Sequence, residues 1–364
     1  MRRRYVLFLL AGVGILVVVL LIAWLRSGTR ALYSIVILPT MGGVEVRAHA
    51  LNDLGRVAAA VRMPDGTVRV VLWDQSGRTE DLAFFPAGSE VGAVVLNNAG
   101  QAACTVHDPN RTWRSFFWDA DGRRYTLENP DYDEVRINAM NNRSQVVGSW
   151  DSPRYPRHAF RWDKTGGAQD LHTFGSGESL ACGINDSGQI VGLFSPAPRQ
   201  WQAFLLDPNL EMRVLGPTFG LAATCQINNQ GFVVGQFGSA EDQTCTCTWT
   251  AGTGTARLAS TGDWLVVGAL NDANQFILNV RHSGLQVWNR QVGNKTQSIF
   301  WGWRTGSVLW ESTRHLRSLN KRLGRTDIRG FFGQDLNQNG TIIGSLFIEG
   351  SSRPQAVLLE PIPK

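Results

Sequence analysis

An Asn followed three positions later by Gly, Ser or Asn returns seven times along this chain at nearly constant spacing. That beat, more than composition, limits what the chain can fold into. The pairs are Asn52/Gly55, Asn97/Gly100, Asn141/Ser144, Asn185/Gly188, Asn228/Gly231, Asn271/Asn274 and Asn337/Gly340, with steps of 45, 44, 44, 43, 43 and 66 residues. A second marker keeps the same phase: Trp73, Trp118, Trp162, Leu206, Trp249, Trp310 and Leu359. Two independent markers in step define seven units of a repeat architecture.

Each unit reads as four short strands. An apolar residue precedes the Asn, and a Val- or Ile-rich run follows the turn. The aromatic marker sits on a third strand, and a weaker fourth segment closes the unit. Runs of four to six residues between Gly and Asn turns carry no helical period. An Asn opening a type I turn bonds its own backbone two residues on, and Gly at the fourth position accepts a positive φ. Two positions before the Asn lie mostly small residues; one position before, always large apolar ones. Alternate side chains face opposite sides of a strand, so each sheet has a close-approach face and a bulky face. Gly148, Gly192, Gly235 and Gly344 extend the pattern into the second strand. Such a sheet cannot cover both faces alone, and a closed ring of neighbours does so without free ends. The last unit lacks its fourth strand, while an unmatched apolar strand at 33–38 precedes the first. The pattern predicts an all-β, seven-bladed β-propeller over 33–361, closed by that N-terminal strand.

Residues 5–25 form an uncharged, Pro-free apolar run, long enough as a helix to cross a bilayer. It exceeds the core of a cleaved signal peptide, and no Cys follows it for lipid attachment. Arg2, Arg3 and Arg4 precede it; Arg26 and Arg30 follow. The bias predicts a cytoplasmic tail at 1–4, one transmembrane helix at 5–25, a linker at 26–32 and a domain displayed outside the cytoplasm. The net charge of +5 belongs to this end: without those five arginines, 30 basic residues face 30 acidic ones. The domain therefore lacks the basic excess that nucleic-acid binding needs.

The enlarged step contains an insertion at 281–306 that reads as an extra hairpin. Its Trp288, Trp301 and Trp303 either form a partner surface or cover an edge of their own blade. No zinc spacing, phosphate loop or nucleophile elbow is present, so no catalytic residue, metal site or cofactor is indicated. Cys245 and Cys247 share a strand face without a second ligand pair. Three positions before the repeat Asn stand His49, Val94, Asn138, Cys182, Cys225, Gly268 and Gln334. If the first strand borders a central channel, His49, Asn138, Cys182, Cys225 and Gln334 are its binding candidates. The alternative is that they are polar groups satisfied locally.

The run His158, Ala159, Phe160 and Trp162, then Gln169, Asp170 and Leu171, then Gly183 to Gly192 with Asn185 and Gly188 resembles the bacterial extracellular HAF-repeat family. The resemblance covers about 33–360 and is clearest in units three to five. It implies a secreted or surface-exposed, propeller-like protein with no assigned reaction. Together these readings predict a membrane-anchored, non-enzymatic binding or scaffold module for a protein or carbohydrate ligand. The competing expectation is a carbohydrate-acting hydrolase or lyase with carboxylates at the channel mouth.

Overall fold

The structure is a computed structural model. It describes residues 33–362 except 111, 130–131, 172–176, 198–199, 219–224, 237–244, 261–263, 282–289, 293–294, 298–305, 311–316, 319–326 and 352. Within it, seven four-stranded antiparallel sheets succeed one another. Six take their strands in chain order. The first sheet runs through Glu45–Leu51, Val57–Arg62, Val68–Trp73 and Thr79–Phe85. The second has Glu90–Leu96, Ala102–His107, Trp113–Trp118 and Arg124–Leu127; the third has Glu134–Met140, Val146–Asp151, His158–Asp163 and Gly167–Asp170. The fourth comprises Ser179–Ile184, Ile190–Ala197, Gln200–Leu206 and Met212–Thr218, and the fifth Cys225–Ile227, Val233–Gly235, Cys245–Thr250 and Gly254–Ser260. In the sixth, Trp264–Leu270, Phe276–Arg281, Gly306–Trp310 and Arg317–Ser318 pair in order, and a two-stranded ribbon, Arg290–Val292 with Lys295–Gln297, interrupts the chain between the second and third.

The seventh sheet is composite. Ile328–Leu336, Ile342–Ile348 and Gln355–Pro361 come from the C-terminal end, and Tyr33–Ile37 adds the fourth strand, with Tyr33 opposite Pro361 and Ile37 opposite Val357. Backbone pairing of the two ends removes the free edges that an open stack would expose.

Apolar packing runs around the whole ring. Each sheet buries one face against the next: Ala50, Val70 and Leu72 of the first meet Val94, Val106 and Phe116 of the second. Comparable clusters join the second to the third, the third to the fourth and the fourth to the fifth. Two more join the fifth to the sixth and the sixth to the seventh. Ile343, Ala356 and Leu358 of the seventh sheet then meet Ala48, Leu51 and Trp73 of the first. This is a β-propeller, with the first strand of each sheet at the centre.

The repeat turn is what the sequence pattern predicts locally, and the structure adds a second task to it. In the first unit, Asn52 Oδ1 accepts from the backbone N–H groups of Leu54 and Arg56, and Gly55 adopts φ +78°. Ser144 and Asn274 hold the same positive-φ position, at +63° and +56°, without Gly. The side-chain amide also reaches out of its own turn to the next sheet. Asn52 Nδ2 donates to the Asn97 carbonyl, Asn97 to that of Asn141, Asn141 to Asn185, Asn185 to Asn228, Asn228 to Asn271 and Asn271 to Asn337. Asn337 Nδ2 donates to the Asn52 carbonyl and closes the circle. All seven asparagines are buried.

One expectation is corrected here. The segment read as a membrane anchor, with its tail and linker, lies outside the described residues. Every element among the described residues is a strand, and no helix there is long and apolar enough to cross a membrane. Hydropathy reports only that a run would tolerate lipid. The transmembrane helix, the membrane partner and the single-pass, extracytoplasmic topology thus have no element of the fold to rest on.

Candidate functional site: the central channel

The channel holds a cavity of about 440 Å³ lined by the first strands of the sheets and by their Asn turns. Its rim carries a second closed circle, one residue beyond the buried asparagines. The backbone N–H of Asp53 donates to Asn98 Oδ1, that of Asn98 to Asn142, Asn142 to Asp186, Asp186 to Asn229 and Asn229 to Asp272. Asp272 donates to Gln338 Oε1, and Gln338 to Asp53 Oδ1, at 2.8 and 2.9 Å. Three carboxylates, Asp53, Asp186 and Asp272, therefore stand at fixed points around the mouth, separated by amide side chains.

Below the rim the first strands are bulged. Register skips between Ala48 and Ala50, between Ile137 and Ala139, between Ala181 and Gly183, and between Gly333 and Asp335. The residues left over are His49, Asn138, Cys182 and Gln334. A bulge leaves one residue unpaired and re-aims its side chain. It also pushes backbone onto the neighbouring strand: a Cβ on Gly148 would meet the Arg136 carbonyl oxygen at 1.9 Å, and one on Gly192 that of Leu180 at 2.3 Å. The second-strand glycines answer this close approach.

Of the five channel candidates, the structure brings His49, Asn138 and Gln334 to the cavity wall. Asn138 Nδ2 donates to the Ala181 carbonyl of the next sheet at 2.7 Å. His49 Nε2 and Gln334 Oε1 are buried without a hydrogen-bond partner. Cys182 and Cys225 sit instead in the apolar layer between the fourth and fifth sheets, with Leu180, Ile227 and Val233. The hydrogen bond that the Cys225 thiol donates to Cys182, together with burial, pushes Cys225 well up, so it is no nucleophile. Trp288, Trp301 and Trp303 lie outside the described residues.

Asp335, the neighbour of Gln334, was not singled out by the repeat pattern, where its position is mostly small. Its carboxylate accepts from the N–H of Leu51 in the first sheet at 2.7 Å and from its own neighbour Leu336 at 2.8 Å. Burial raises its pKa to about 6; the two N–H bonds pull the other way, and the Asp53 charge adds to the rise. Desolvation, helped by the Arg47 charge, lowers His49 to about 4, so its imidazole is neutral at pH 7. His49 also lines a smaller cavity of about 130 Å³ with Glu45, Arg47, Arg62 and Glu90, and so forms the partition between the two spaces. The one signal in the sequence was a carboxylate at a position otherwise occupied by Ala, Gly, Val or Gln.

No protein-family model and no curated relative matches the chain. Solved structures do. A streptogramin B lyase is 9% identical over 92% of this chain and 100% of its own, with a TM-score of 0.53. A virginiamycin B lyase from Staphylococcus aureus, in an inactive form with quinupristin, is 9% identical over 91% and 100%, also at 0.53. A puromycin hydrolase is 12% identical over 87% of this chain but 52% of its own, at 0.52. What they share is the propeller. Identity this low establishes the fold alone, and the chain spans about half of the hydrolase. The expectation of a non-enzymatic scaffold is nevertheless corrected. Its motive was a missing catalytic set on an anchored repeat, whereas the fold is one that lyases and hydrolases use and the channel wall holds a carboxyl group shifted toward neutrality.

Proposed function

We propose that the channel is the active site of a hydrolase or lyase, with Asp335 as its proton-transfer group. One observation carries the reading: a carboxyl group that burial pushes up to about 6 is built into a cavity wall that Asp53 also lines. General acid–base catalysis works best when the group's pKa lies near the working pH, and displaced values gather at functional sites. Protonated, Asp335 supplies a hydrogen to a leaving oxygen or nitrogen; ionised, it removes one from water or from carbon. Neutral His49 on the adjacent strand offers a second polar atom to the same space. The amide-rich rim suits a hydroxyl-bearing substrate, in keeping with a carbohydrate.

The test is turnover of a panel of 4-nitrophenyl glycosides, neutral sugars and amino sugars both included, by the full chain. Activity is expected with an inflection near pH 6, falling by about 100-fold or more in Asp335→Asn while the melting temperature holds. Equal activity in that variant, or none from the parent across the panel, rejects the reading.

We further infer that the chain is a divergent HAF-repeat protein. Supporting this, the motif His158 is hydrogen-bonded to Asp170 Oδ2 at 2.8 Å, and Ala159 and Phe160 are buried, so the motif residues work as one unit. Related sequences should retain His158 and Asp170 together; independent loss of either would separate this chain from the family.

A further inference from the structure

The lining of the large cavity is one-sided in charge. Asp53, Asp186, Asp272 and Asp335 reach it, and among its described lining residues there is no Lys or Arg. Among the described residues none of the four is paired with an Arg or Lys, although Arg–carboxylate pairs are otherwise frequent: Arg56 with Glu80, Arg69 with Asp81 and Arg213 with Asp207 all lie elsewhere. The three rim carboxylates accept hydrogen bonds from the side-chain amides of Asn98, Asn142 and Asn229, but no cationic side chain among the described lining residues neutralises their charge. Charge of one sign lining a concave wall is focused toward the space it encloses.

A second, independent feature lies deeper. His49 Nε2 and Gln334 Oε1 are buried in this wall without partners. Gln334 Oε1 can only accept a hydrogen bond, and the Nε2 of a neutral imidazole accepts one when the proton sits on Nδ1. Buried polar atoms without partners are rare and costly. A group rich in N–H donors satisfies Gln334 Oε1 and, with His49 protonated on Nδ1, its Nε2 as well; an anion would meet the Gln334 oxygen and be repelled by the rim carboxylates.

We infer that the cavity is built for an amine-bearing cationic ligand, held by the carboxylates of Asp53, Asp186 and Asp272 at the mouth and by His49 and Gln334 within. This names the substrate class of the proposed active site and rests on that reading of the channel. The space is large enough for a molecule of disaccharide size, and an amino sugar meets both the charge and the hydroxyl-compatible rim.

Calorimetric titration of the full chain tests this. The probes are the β-1,4-linked glucosamine disaccharide, its N-acetylated counterpart and calcium chloride. The amine is expected to bind at least 10-fold more tightly than the acetylated sugar and to weaken as sodium chloride is raised. The triple variant Asp53→Asn, Asp186→Asn, Asp272→Asn should weaken it by 10-fold or more. Asn already occupies that turn position at 98, 142 and 229, so the variant should fold; an unchanged far-ultraviolet spectrum and melting temperature check this. Equal affinity for both sugars, or amine binding indifferent to the triple variant, overturns the inference. So does calcium binding that needs the three carboxylates while the amine fails to bind. Binding of the amine without any turnover would sink the catalytic reading and leave this one standing; turnover of neutral sugars with no preference for amines would do the reverse.

Discussion

Two rows of residues run round the channel, three positions apart on the same strands, and they obey opposite rules. The row at the turns is Asn in all seven units; the row three positions earlier is His49, Val94, Asn138, Cys182, Cys225, Gly268 and Gln334, of which Val94 and Cys225 are paired in register and the others fall at bulges. In the first row every side chain does the same double work, bracing its own turn through Oδ1 and reaching the next sheet through Nδ2. A single shape answers that geometry, because a buried donor and a buried acceptor must both be satisfied on one short side chain. In the second row nothing closes a circle. Asn138 bridges two sheets, the cysteines join the apolar layer, and His49 and Gln334 face the cavity. The ring is maintained by sameness, and the site is made where sameness is dropped.

The largest expected effect would break the first row. Asn271 is wholly buried and takes part in four hydrogen bonds, to Gln275, Asn337 and Ala273. Asn271→Ala should cost about 4 kcal/mol, at roughly 1 kcal/mol per bond lost, read from urea denaturation. A loss under about 1 kcal/mol would mean that the belt decorates the ring instead of holding it.

The second row predicts a pH signature. His49 is harder to protonate in the fold than in the unfolded chain, so its contribution is intact above about pH 6.5 and is lost as pH falls toward about 4. Asp335 is the opposite case: its raised pKa contributes stability below its ordinary value of 3.8 that is lost as pH rises through about 6. Each is worth on the order of 2–3 kcal/mol, and between pH 4 and 6 they oppose one another. His49→Gln should therefore leave stability that declines with rising pH over that window, and Asp335→Asn stability that increases. Parallel profiles for the two variants would contradict this pairing.

A smaller effect sharpens the contrast within the second row. Asn138→Ala removes one hydrogen bond to the next sheet and should cost about 1 kcal/mol, measurable by the same denaturation. Least of all, Asp272→Asn places at the rim the residue that other units already carry there. It should change stability by less than about 0.5 kcal/mol while reducing the affinity for an amine. If it unfolds the chain instead, the rim is structural and its charge incidental.

Much of the frame was legible because turns are local chemistry. Asn52 to Gly55 reads as a turn without knowledge of anything distant, since the side chain bonds its own backbone and Gly takes the positive φ. The pairing of Tyr33–Ile37 with Gln355–Pro361 could be inferred by counting strands, because an unmatched strand at one end and a vacancy at the other have one economical solution. The glycines at 148 and 192 were visible as a pattern, although their cause, the carbonyl pressed on them by a bulge, was not. The site was less legible. A register skip has no signature of its own in the residues, so His49 and Gln334 could be placed on the channel strand but not distinguished from Cys182 and Cys225. Asp335 looked like one exception in a column of small residues. The apolar run at 5–25 lies outside the described residues, and no helix among those described is long and apolar enough to cross a membrane.

By itself, the order of residues determined the period, the turns, the alternation of small and large faces and the means of joining the two ends, all properties of neighbours in the chain or of simple counting. Only the tertiary structure decided which side chains share a space. Closing the ring set Asp335 against the backbone of Leu51 and near Asp53, residues almost three hundred positions away, and buried it there. A carboxyl group's proton affinity depends on what surrounds it in space, and no run of neighbouring letters carries that.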